Sequence, residues 1–465
     1  MGADLRLKSR QGRGLLVGTV LGSGLALLDA TVVNVALPHI GVALHTTLAG
    51  LQWTVNAYTL MLAAFVLLGG ALGDRYGRRR IFLIGMAWFT GASVLCGLSV
   101  GVEWLVAARA LQGMGAALLT PGSLSLINAT LHPDDRGRGI GIWAGFSGIA
   151  GALGPVLGGW VIDTFDWRWI FFLNVPVALV VLAVTLRYVP ESRAPAPEVR
   201  GFDVAGALLG AAGLAGVTYA LVAGHGAIAW AAAAAGVAAF VGFVVVERRS
   251  PHPMMPLGLF RSVEFSVINA VTLVVYAGLS GVLFLLVLQL QVTAGFSAIA
   301  AGAANAPIPL LILLGSPRAG ALGKRYGPRA PLTVGCLLAG LGILAMLRIG
   351  PGAVYWRDVL PAVTLFGLGL TVLVAPLTAS VLAAVDVRYA GVSSGVNNAV
   401  ARAGGLLAVA ALPLLVGLSG EGYALPAAVD HAYRQAIWYC AGLLGVGAAM
   451  SWLLLPRRAP VSGAP

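Results

Sequence analysis

GALGDRYGRRR, from Gly70 to Arg80, and GALGKRYGPRA, from Gly320 to Ala330, are two short basic segments that decide how the chain is organised. They are identical at eight of eleven positions, and each lies between two long apolar stretches. Chance recurrence of short glycine turns is the poorer explanation of so much identity. The pair therefore indicates an internal repeat, with one copy at the same place in each half of the chain.

The composition around these segments is that of a membrane protein. Of the 465 residues, 59% are hydrophobic and 10% are charged, whereas about a quarter of a soluble domain is charged. A formal net charge of +12 would suit a nucleic-acid partner, but the basic residues lie in short runs between apolar stretches. We therefore expect lipid around most of the chain and no nucleic acid.

Fourteen apolar stretches approach the roughly 20 residues that a helix needs to cross a bilayer. Twelve is the competing count, because the Ala/Gly-rich stretch 203–246 is the weakest. The predicted spans are 14–37, 51–72, 81–100, 103–126, 139–162, 168–188, 203–223, 227–246, 265–290, 298–319, 330–349, 359–382, 391–417 and 435–455.

The distribution of Lys and Arg predicts the orientation of these spans. With the N-terminus inside, 23 of the 29 Lys and Arg residues fall in cytoplasmic segments and four in outer segments. This asymmetry is the positive-inside pattern, so we expect a multi-pass protein of the plasma membrane with both termini in the cytoplasm. The remaining two, Arg109 and Arg402, lie well inside spans.

Together, the repeat and the spans predict an all-α polytopic membrane protein made of two six-helix bundles and two inserted helices. The predicted parts are a cytoplasmic tail (1–13), an N-terminal bundle (14–190), linkers with the inserted pair (191–264), a C-terminal bundle (265–456) and a second tail (457–465).

The sequence lacks the residue arrangements that are typical of catalytic sites. The three cysteines lie in apolar runs without CxxC spacing, and no Walker loop, metal cluster or nucleophile–base–acid set occurs. We therefore expect no enzyme activity, no metal and no cofactor.

Eight strings, in order along nearly the whole chain, resemble the motifs of the fourteen-helix drug:proton antiporter family of the major facilitator superfamily. They are LDATVVNVALP (Leu28 to Pro38), QWTVNAYTL (Gln52 to Leu60), GALGDRYGRRR (Gly70 to Arg80), RALQGMGAA (Arg109 to Ala117), GALGPVLGGW (Gly151 to Trp160), WRWIFFLNVP (Trp167 to Pro176), PMMPLGLF (Pro253 to Phe260) and AGVSSGVNNAVARAGG (Ala390 to Gly405).

The resemblance implies a proton-coupled antiporter that exports hydrophobic or amphipathic small molecules, such as drugs and antibiotics, by alternating access. Its partners would be the substrate, protons and membrane lipids, and we expect a monomer. A carrier of the same fold for a lipid, siderophore or metabolite is the alternative, and a transport-dead sensor or scaffold is another. The chain departs from the motif at Lys324, and its second half has no membrane carboxylate, which disfavours a polycationic substrate.

Charged residues at bilayer depth are candidate functional residues because they are costly there. Asp29 and Arg109 lie at similar predicted depths, roughly 12 and 9 Å below the outer ends of their spans. We predict that Asp29 takes and releases a proton, with Arg109 governing how readily it does so. A purely structural ion pair is the alternative. The residues predicted to line the substrate cavity are Asn34, Trp53, Asn56, Tyr58, Gln112, Trp143, Gln289, Asn305, Asn398 and Arg402.

The resemblance implies roles for two further sets of residues. The resemblance implies a gate in the first basic loop, at Gly70, Asp74, Arg75, Gly77 and Arg78, with Asp134 and Asp135 as partners of the arginines. It also implies a hinge in the fifth span, at Gly151, Gly154, Pro155, Gly158 and Gly159. The alternatives are a positive-inside anchor for the loop and ordinary tight packing for the glycines.

Overall fold

The structure is a computed structural model that describes residues 5–193, 203–250, 253–386 and 389–456. The predicted tail 457–465 lies outside the described residues. The α-helices in these ranges are α1 (Arg10–Ala43), α2 (Leu48–Tyr76), α3 (Arg78–Gly97), α4 (Val102–Thr130), α5 (Pro133–Thr164), α6 (Trp169–Phe172), α7 (Asn174–Tyr188), α8 (Val204–Ala223), α9 (Ala227–Arg249), α10 (Val263–Leu288), α11 (Ala298–Ala304), α12 (Pro307–Tyr326), α13 (Arg329–Ala345), α14 (Leu360–Ala383), α15 (Ala390–Leu415) and α16 (Pro426–Leu454). Short 3₁₀ or π turns lie at Leu257–Arg261, Gln289–Thr293, Met346–Arg348, Tyr355–Val359 and Gly422–Ala424.

Fourteen helical segments in the described ranges are long and apolar enough to cross a membrane, so the predicted count is confirmed. Two of them join consecutive helices: α6 and α7 form Trp169–Tyr188, and α11 and most of α12 form Ala298–Gly323. The Ala/Gly-rich helices α8 and α9 both qualify, which rules out the competing count of twelve.

Several helices extend beyond the predicted spans. Helix α1 continues six residues past the predicted end and contains Pro38, and α16 begins at Pro426 rather than at residue 435. The spans were predicted from apolar runs, whereas backbone hydrogen bonding continues into polar residues at the membrane edge. A proline is tolerated inside a membrane helix because neighbouring groups satisfy the freed carbonyl.

The described helices fall into two compact units. The first unit contains α1, α3 to α7 and α2 from Gly50 onward, and the second contains α10 to α16. Helices α8 and α9 are divided between the two units. The exact bundle boundaries at residues 190 and 264 stay predictions.

The same packing scheme occurs inside each unit, which gives the sequence repeat a structural counterpart. In the first unit, α1 packs against α5 and α7, while α3 packs against α4 and α7. In the second unit, α10 packs against α15 and α16, while α13 packs against α14 and α16. Each unit thus places its first span against its fifth and sixth spans.

Glycines at matching positions allow close helix packing in both units. A Cβ at Gly85 of α3 would lie 3.2 Å from the Gly115 carbonyl oxygen of α4. A Cβ at Gly335 of α13, 250 residues later, would lie 3.0 Å from the Gly369 carbonyl oxygen of α14. Such contacts leave no room for a larger residue, so the helix pairs α3–α4 and α13–α14 are built alike.

The two basic segments quoted above also end alike. Helix α2 ends at Tyr76 and α12 at Tyr326, and each is followed by a glycine with positive φ, Gly77 at 115° and Gly327 at 72°. A side chain is strained in this conformation, so the Tyr-Gly pair stops one helix and starts the next.

Candidate functional site

Asp29 lies near the middle of α1, fourteen residues before the end of the helix at Ala43. At 1.5 Å per residue this is roughly 21 Å, deeper than the sequence predicted, because α1 continues past Pro38. The Asp29 side chain is 1% exposed, and Leu25 and Ala26 of the preceding turn belong to the apolar core. A carboxylate in such surroundings must obtain its hydrogen bonds from the protein.

Three side chains donate hydrogen bonds to the Asp29 carboxylate. Arg109 Nη1 donates to Oδ2 over 2.5 Å, and Gln112 Nε2 donates to Oδ1 over 2.8 Å. Asn174 Nδ2, from the first turn of α7, donates to Oδ1 over 2.9 Å. The carboxylate therefore joins α1 to α4 and α7, and the predicted meeting of Asp29 with Arg109 occurs.

Arg109 is as buried as its partner and uses several of its donors. Its Nη1 also donates to Gln112 Oε1 over 2.6 Å, and its Nε donates to the Thr54 carbonyl oxygen over 3.1 Å. The guanidinium carbon lies 4.3 Å from the centre of the Tyr58 ring. Hydrogen bonds and a cation–π contact thus hold the cation in one orientation.

Asn174 and Ser93 also belong to this site, but neither was predicted as a functional residue. Asn174 only forms part of the string from Trp167 to Pro176. Asn174 and Ser93 are fully buried, and Asn174 Nδ2 also donates to Ser93 Oγ over 2.9 Å. Ser93 in turn donates to the Phe171 carbonyl oxygen over 2.9 Å. An amide in the middle of an apolar span was the available signal. We call Asp29, Arg109, Gln112, Asn174 and Ser93 the Asp29 cluster.

Helix α5 packs against the turn of α1 that carries Asp29. A Cβ at Gly154 would lie 3.2 Å from the Leu28 carbonyl oxygen, and a Cβ at Gly158 would lie 2.6 Å from a methyl carbon of Val32. The two backbones approach because these glycines have no side chain. The glycines of α5 therefore lie against the helical turn that holds the carboxylate.

The other predicted hinge residues lie on the same helix. A Cβ at Gly151 would lie 3.1 Å from a methyl carbon of Leu27, Gly159 is buried, and Pro155 lies inside α5. The tight packing that the sequence offered as the alternative is present, and the role as a hinge stays a prediction.

The predicted cavity residues of the first unit are dispersed. Tyr58 and Gln112 contact Arg109, as described above. Asn56 is fully buried, and neither polar atom of its side chain has a hydrogen-bond partner among the described residues. The half-buried Trp143 donates from Nε1 to Ser23 Oγ over 3.0 Å. Asn34 and Trp53 are also half-buried.

In the second unit, the predicted cavity residues have different surroundings. Gln289 is fully buried, and its amide nitrogen donates to the Ile349 carbonyl oxygen over 2.9 Å and to Asp430 over 2.7 Å. These bonds give Gln289 a role in packing. Asn305 and Arg402 are half-buried, and Asn398 is exposed.

The predicted gate residues surround the end of α2. Arg78 donates from Nε to Asp74 Oδ1 over 2.8 Å, and both side chains are partly exposed. Arg75 is exposed, and a Cβ at Gly70 would lie 3.5 Å from Pro121 of α4. The acid and the arginine of the motif thus form a pair within one turn.

Glu191 is a further residue at this loop that the sequence analysis did not single out. Its two carboxylate oxygens each accept a hydrogen bond over 3.1 Å, from the backbone N–H groups of Arg79 and Arg80. These are orphan donors of the first turn of α3, where the helix dipole also favours an anion. Glu191 therefore attaches the end of the sixth span to the start of α3.

The prediction that Asp134 and Asp135 pair with the arginines of the first basic loop is wrong. Asp134 pairs with Arg6 over 3.3 Å, and Asp135 accepts from the backbone N–H of Leu7 over 2.9 Å. Both acids lie in the first turn of α5, beside the segment that precedes α1, and they hold that segment there.

Comparisons with known proteins bear on the family and the fold of the chain. The family profile described as Major Facilitator Superfamily matches residues 19–409. The chain is 35% identical over 411 residues to the tetracenomycin C resistance and export protein of Streptomyces glaucescens. This alignment covers 86% of this chain and 75% of that relative. It is 36% identical over 456 residues to the puromycin resistance protein pur8 of Streptomyces alboniger. This alignment covers 93% of this chain and 89% of that relative.

The fold also has counterparts among solved structures. The crystal structure of the POT family transporter PepTSo aligns with a TM-score of 0.71 at 15% identity, covering 95% of this chain and 97% of that chain. This likeness and the fourteen spans confirm the predicted fold class. The family match covers most of the chain, and two relatives exceed 30% identity, so the chain belongs to the Major Facilitator Superfamily and is a membrane transporter and not an enzyme.

Proposed function

We propose that the chain is a proton-coupled exporter of hydrophobic or amphipathic small molecules and that Asp29 carries the coupling proton. The observation that carries this proposal is the buried Asp29 carboxylate, which is held by hydrogen-bond donors and lies 2.5 Å from the Arg109 guanidinium.

Protonation of Asp29 weakens the hydrogen bonds around it. Arg109, Gln112 and Asn174 all donate to the carboxylate. A neutral carboxyl group still offers acceptor positions to these donors, but it is a weaker acceptor than a carboxylate and no longer supplies the charge that strengthens the Arg109 bond. Proton uptake also leaves Arg109 as a buried cation without its counter-charge, which is strongly unfavourable.

The structural consequence falls on helix contacts. The Asp29 cluster joins α1, α3, α4 and α7, while the glycines of α5 pack against the same turn of α1. A change of charge at Asp29 therefore favours a different arrangement of α1 relative to these helices. This is the kind of two-state element that alternating access needs.

The names of the relatives support the class of substrate. One relative is named for tetracenomycin C and another for puromycin. The acids of the second unit are Glu264, Asp358, Asp386, Glu421 and Asp430, and they lie in the terminal turns of helices or in the connections between helices. We therefore propose neutral, zwitterionic or weakly anionic antibiotics as substrates, in preference to polycations.

The placement of the chain in the cell is part of the same proposal. The excess of Lys and Arg in one set of connections supports cytoplasmic termini in the plasma membrane. Two units within one chain support a working monomer. The gate at Asp74 and the hinge at Gly154 remain proposals of the same kind.

A resistance and accumulation screen tests the function. A host that lacks its own exporters should gain resistance to at least one antibiotic in a panel containing tetracenomycin C and puromycin when it expresses the chain. The same host should accumulate less of that compound, and a protonophore should abolish the difference. A panel without any dependence on the chain would contradict drug export and favour a lipid, siderophore or metabolite as cargo.

The α1–α5 contact gives a second prediction. Replacing Gly154 with Val should remove most of the resistance, because the added Cβ would overlap Thr31 Oγ1 and press on the Leu28 carbonyl, and overpacking costs about 1–3 kcal/mol. Resistance and the unfolding temperature in detergent are the measurements.

Gly148 provides the matched control on the same helix. A Cβ there has no heavy atom of the described residues within 4 Å, so Gly148→Val should keep both resistance and stability. Equal losses in Gly148→Val and Gly154→Val would contradict a specific role for the α1–α5 contact.

A further inference from the structure

A groove between α1 and α7 in the first unit has the features of a binding site that proton coupling does not use. It is an open groove on the surface of this helix pair, with a volume of about 350 Å³. The residues that line it are Arg10, Arg13, Gly14, Val17, Val184 and Tyr188. We refer to it as the α1–α7 groove.

The lining residues are ordered from charged to apolar along the helices. On α1, Arg10, Arg13 and Val17 are spaced by three and four residues and so share one face. Arg10 is the first residue of α1, and Val17 lies about 10 Å further along the axis. On α7, Tyr188 is at the charged end, and Val184 lies one turn deeper.

Gly14 brings the two walls together. A Cβ at this position would lie 2.6 Å from the Tyr188 ring carbon Cγ, so any larger residue would displace the ring. The next close approach on α1 is Gly18, whose Cβ would lie 2.8 Å from Thr185 Oγ1. The floor of the groove is therefore formed by a close contact between α1 and α7.

The cations of the groove have no counter-charge within the described part of the chain. Neither the Arg10 nor the Arg13 guanidinium forms a hydrogen bond or an ion pair there, whereas nearby Arg6 pairs with Asp134 and Arg78 pairs with Asp74. The N-terminal end of α1 adds its positive dipole at the same place. This end of the groove is suited to an anion such as a phosphate group.

The other end of the groove is suited to hydrocarbon. Val17 is 42% exposed, and Val180, one turn from Val184 on α7, is 49% exposed. These side chains continue the groove as an apolar track on the outer surface of a membrane helix pair. A free inorganic anion would leave this track unused.

We propose that the α1–α7 groove binds an anionic phospholipid, with its phosphate at Arg10 and Arg13 and the start of an acyl chain along Val17 and Val184. Basic residues at the end of a membrane helix attract anionic lipids in this way. Only the assignment of the site to the cytoplasmic leaflet rests on the orientation proposed above, and the binding itself is independent of proton coupling.

Native mass spectrometry of the purified full chain in detergent tests the proposal, with phosphatidylglycerol and phosphatidylethanolamine added separately. The wild-type chain should retain phosphatidylglycerol in preference to phosphatidylethanolamine. The double variant Arg10→Gln, Arg13→Gln should bind phosphatidylglycerol about thirtyfold more weakly, the effect expected for two basic residues near an anionic lipid surface.

Arg248→Gln, Arg249→Gln is the matched control. It removes two exposed, adjacent arginines from the end of α9 and changes the net charge equally. This control should lose much less phosphatidylglycerol than the groove variant, because its arginines do not line the α1–α7 groove. Equal retention by the groove variant and the wild type, or an equal loss in the control, would overturn the proposal.

Two further arms separate a lipid from a simple anion. Val17→Trp keeps both arginines but fills the apolar end, and it should weaken the retention of phosphatidylglycerol. Inorganic phosphate at millimolar concentration should not displace the lipid from the wild-type chain. Complete displacement by phosphate, together with unchanged binding in Val17→Trp, would show an anion site and overturn the assignment to lipid.

Discussion

Asp29→Asn should reduce proton-driven uptake of an exported antibiotic into inverted membrane vesicles to the level of vesicles without the chain. Asparagine keeps the size of the side chain and one acceptor oxygen, but it can neither bind the coupling proton nor carry the charge that balances Arg109. Uptake driven by an imposed pH gradient is the measurement, with the antibiotic that the panel identifies.

A structural role for the pair predicts a different pattern. If Asp29 only fixed the packing of α1, Asp29→Asn would lose drug binding and stability together with uptake, and Asp29→Glu would behave in the same way. If it carries the proton, Asp29→Asn should still bind drug and exchange it across the membrane without a pH gradient. Asp29→Glu should then recover part of the coupled uptake.

Arg109→Lys should lower the rate of coupled transport by at least about tenfold, because one hydrogen bond to a charged group contributes about 1.5–3 kcal/mol. Lysine keeps the positive charge beside Asp29. It loses the planar fork that reaches Asp29, Gln112 and the Thr54 carbonyl together, and it loses the stacking on Tyr58. Transport rates in inverted vesicles, corrected for the amount of folded protein, are the measurement.

Arg168→Lys is the matched control for this substitution. Arg168 also bonds an aspartate, Asp166, over 3.4 Å and lies 4.5 Å from the centre of the Trp167 ring, but its side chain is 34% exposed. Water replaces lost contacts at such a site, so transport should be unchanged. Wild-type rates in Arg109→Lys would contradict the need for a rigid, buried guanidinium.

The central ion pair was predictable because few charges remain at bilayer depth. Asp29 and Arg109 have opposite charges at similar predicted depths, and a buried charge needs a partner. Gln112 follows Arg109 by three residues, so the two side chains share a helix face. The repeat was predictable too, because identical Tyr-Gly pairs require the same turn.

The rest of the site depends on contacts between distant parts of the chain. Asn174 lies 145 positions from Asp29, and nothing local shows that α7 turns its first residue toward α1. Spans that are apolar on every side do not reveal which face is buried, so Asn398 and Gln289 were assigned to a cavity by residue type alone. Gln289 instead bonds Ile349 and Asp430, a pairing that only the folded second unit brings together.

Proton release on drug binding tests the central claim most directly. The purified chain, in weakly buffered detergent solution, is mixed with the antibiotic that the panel identifies, and the pH is followed with an indicator dye. The account predicts that the wild-type chain releases protons in proportion to the drug bound and that Asp29→Asn binds the drug without releasing protons. Equal proton release by Asp29→Asn and the wild type would contradict the assignment of the coupling proton to Asp29.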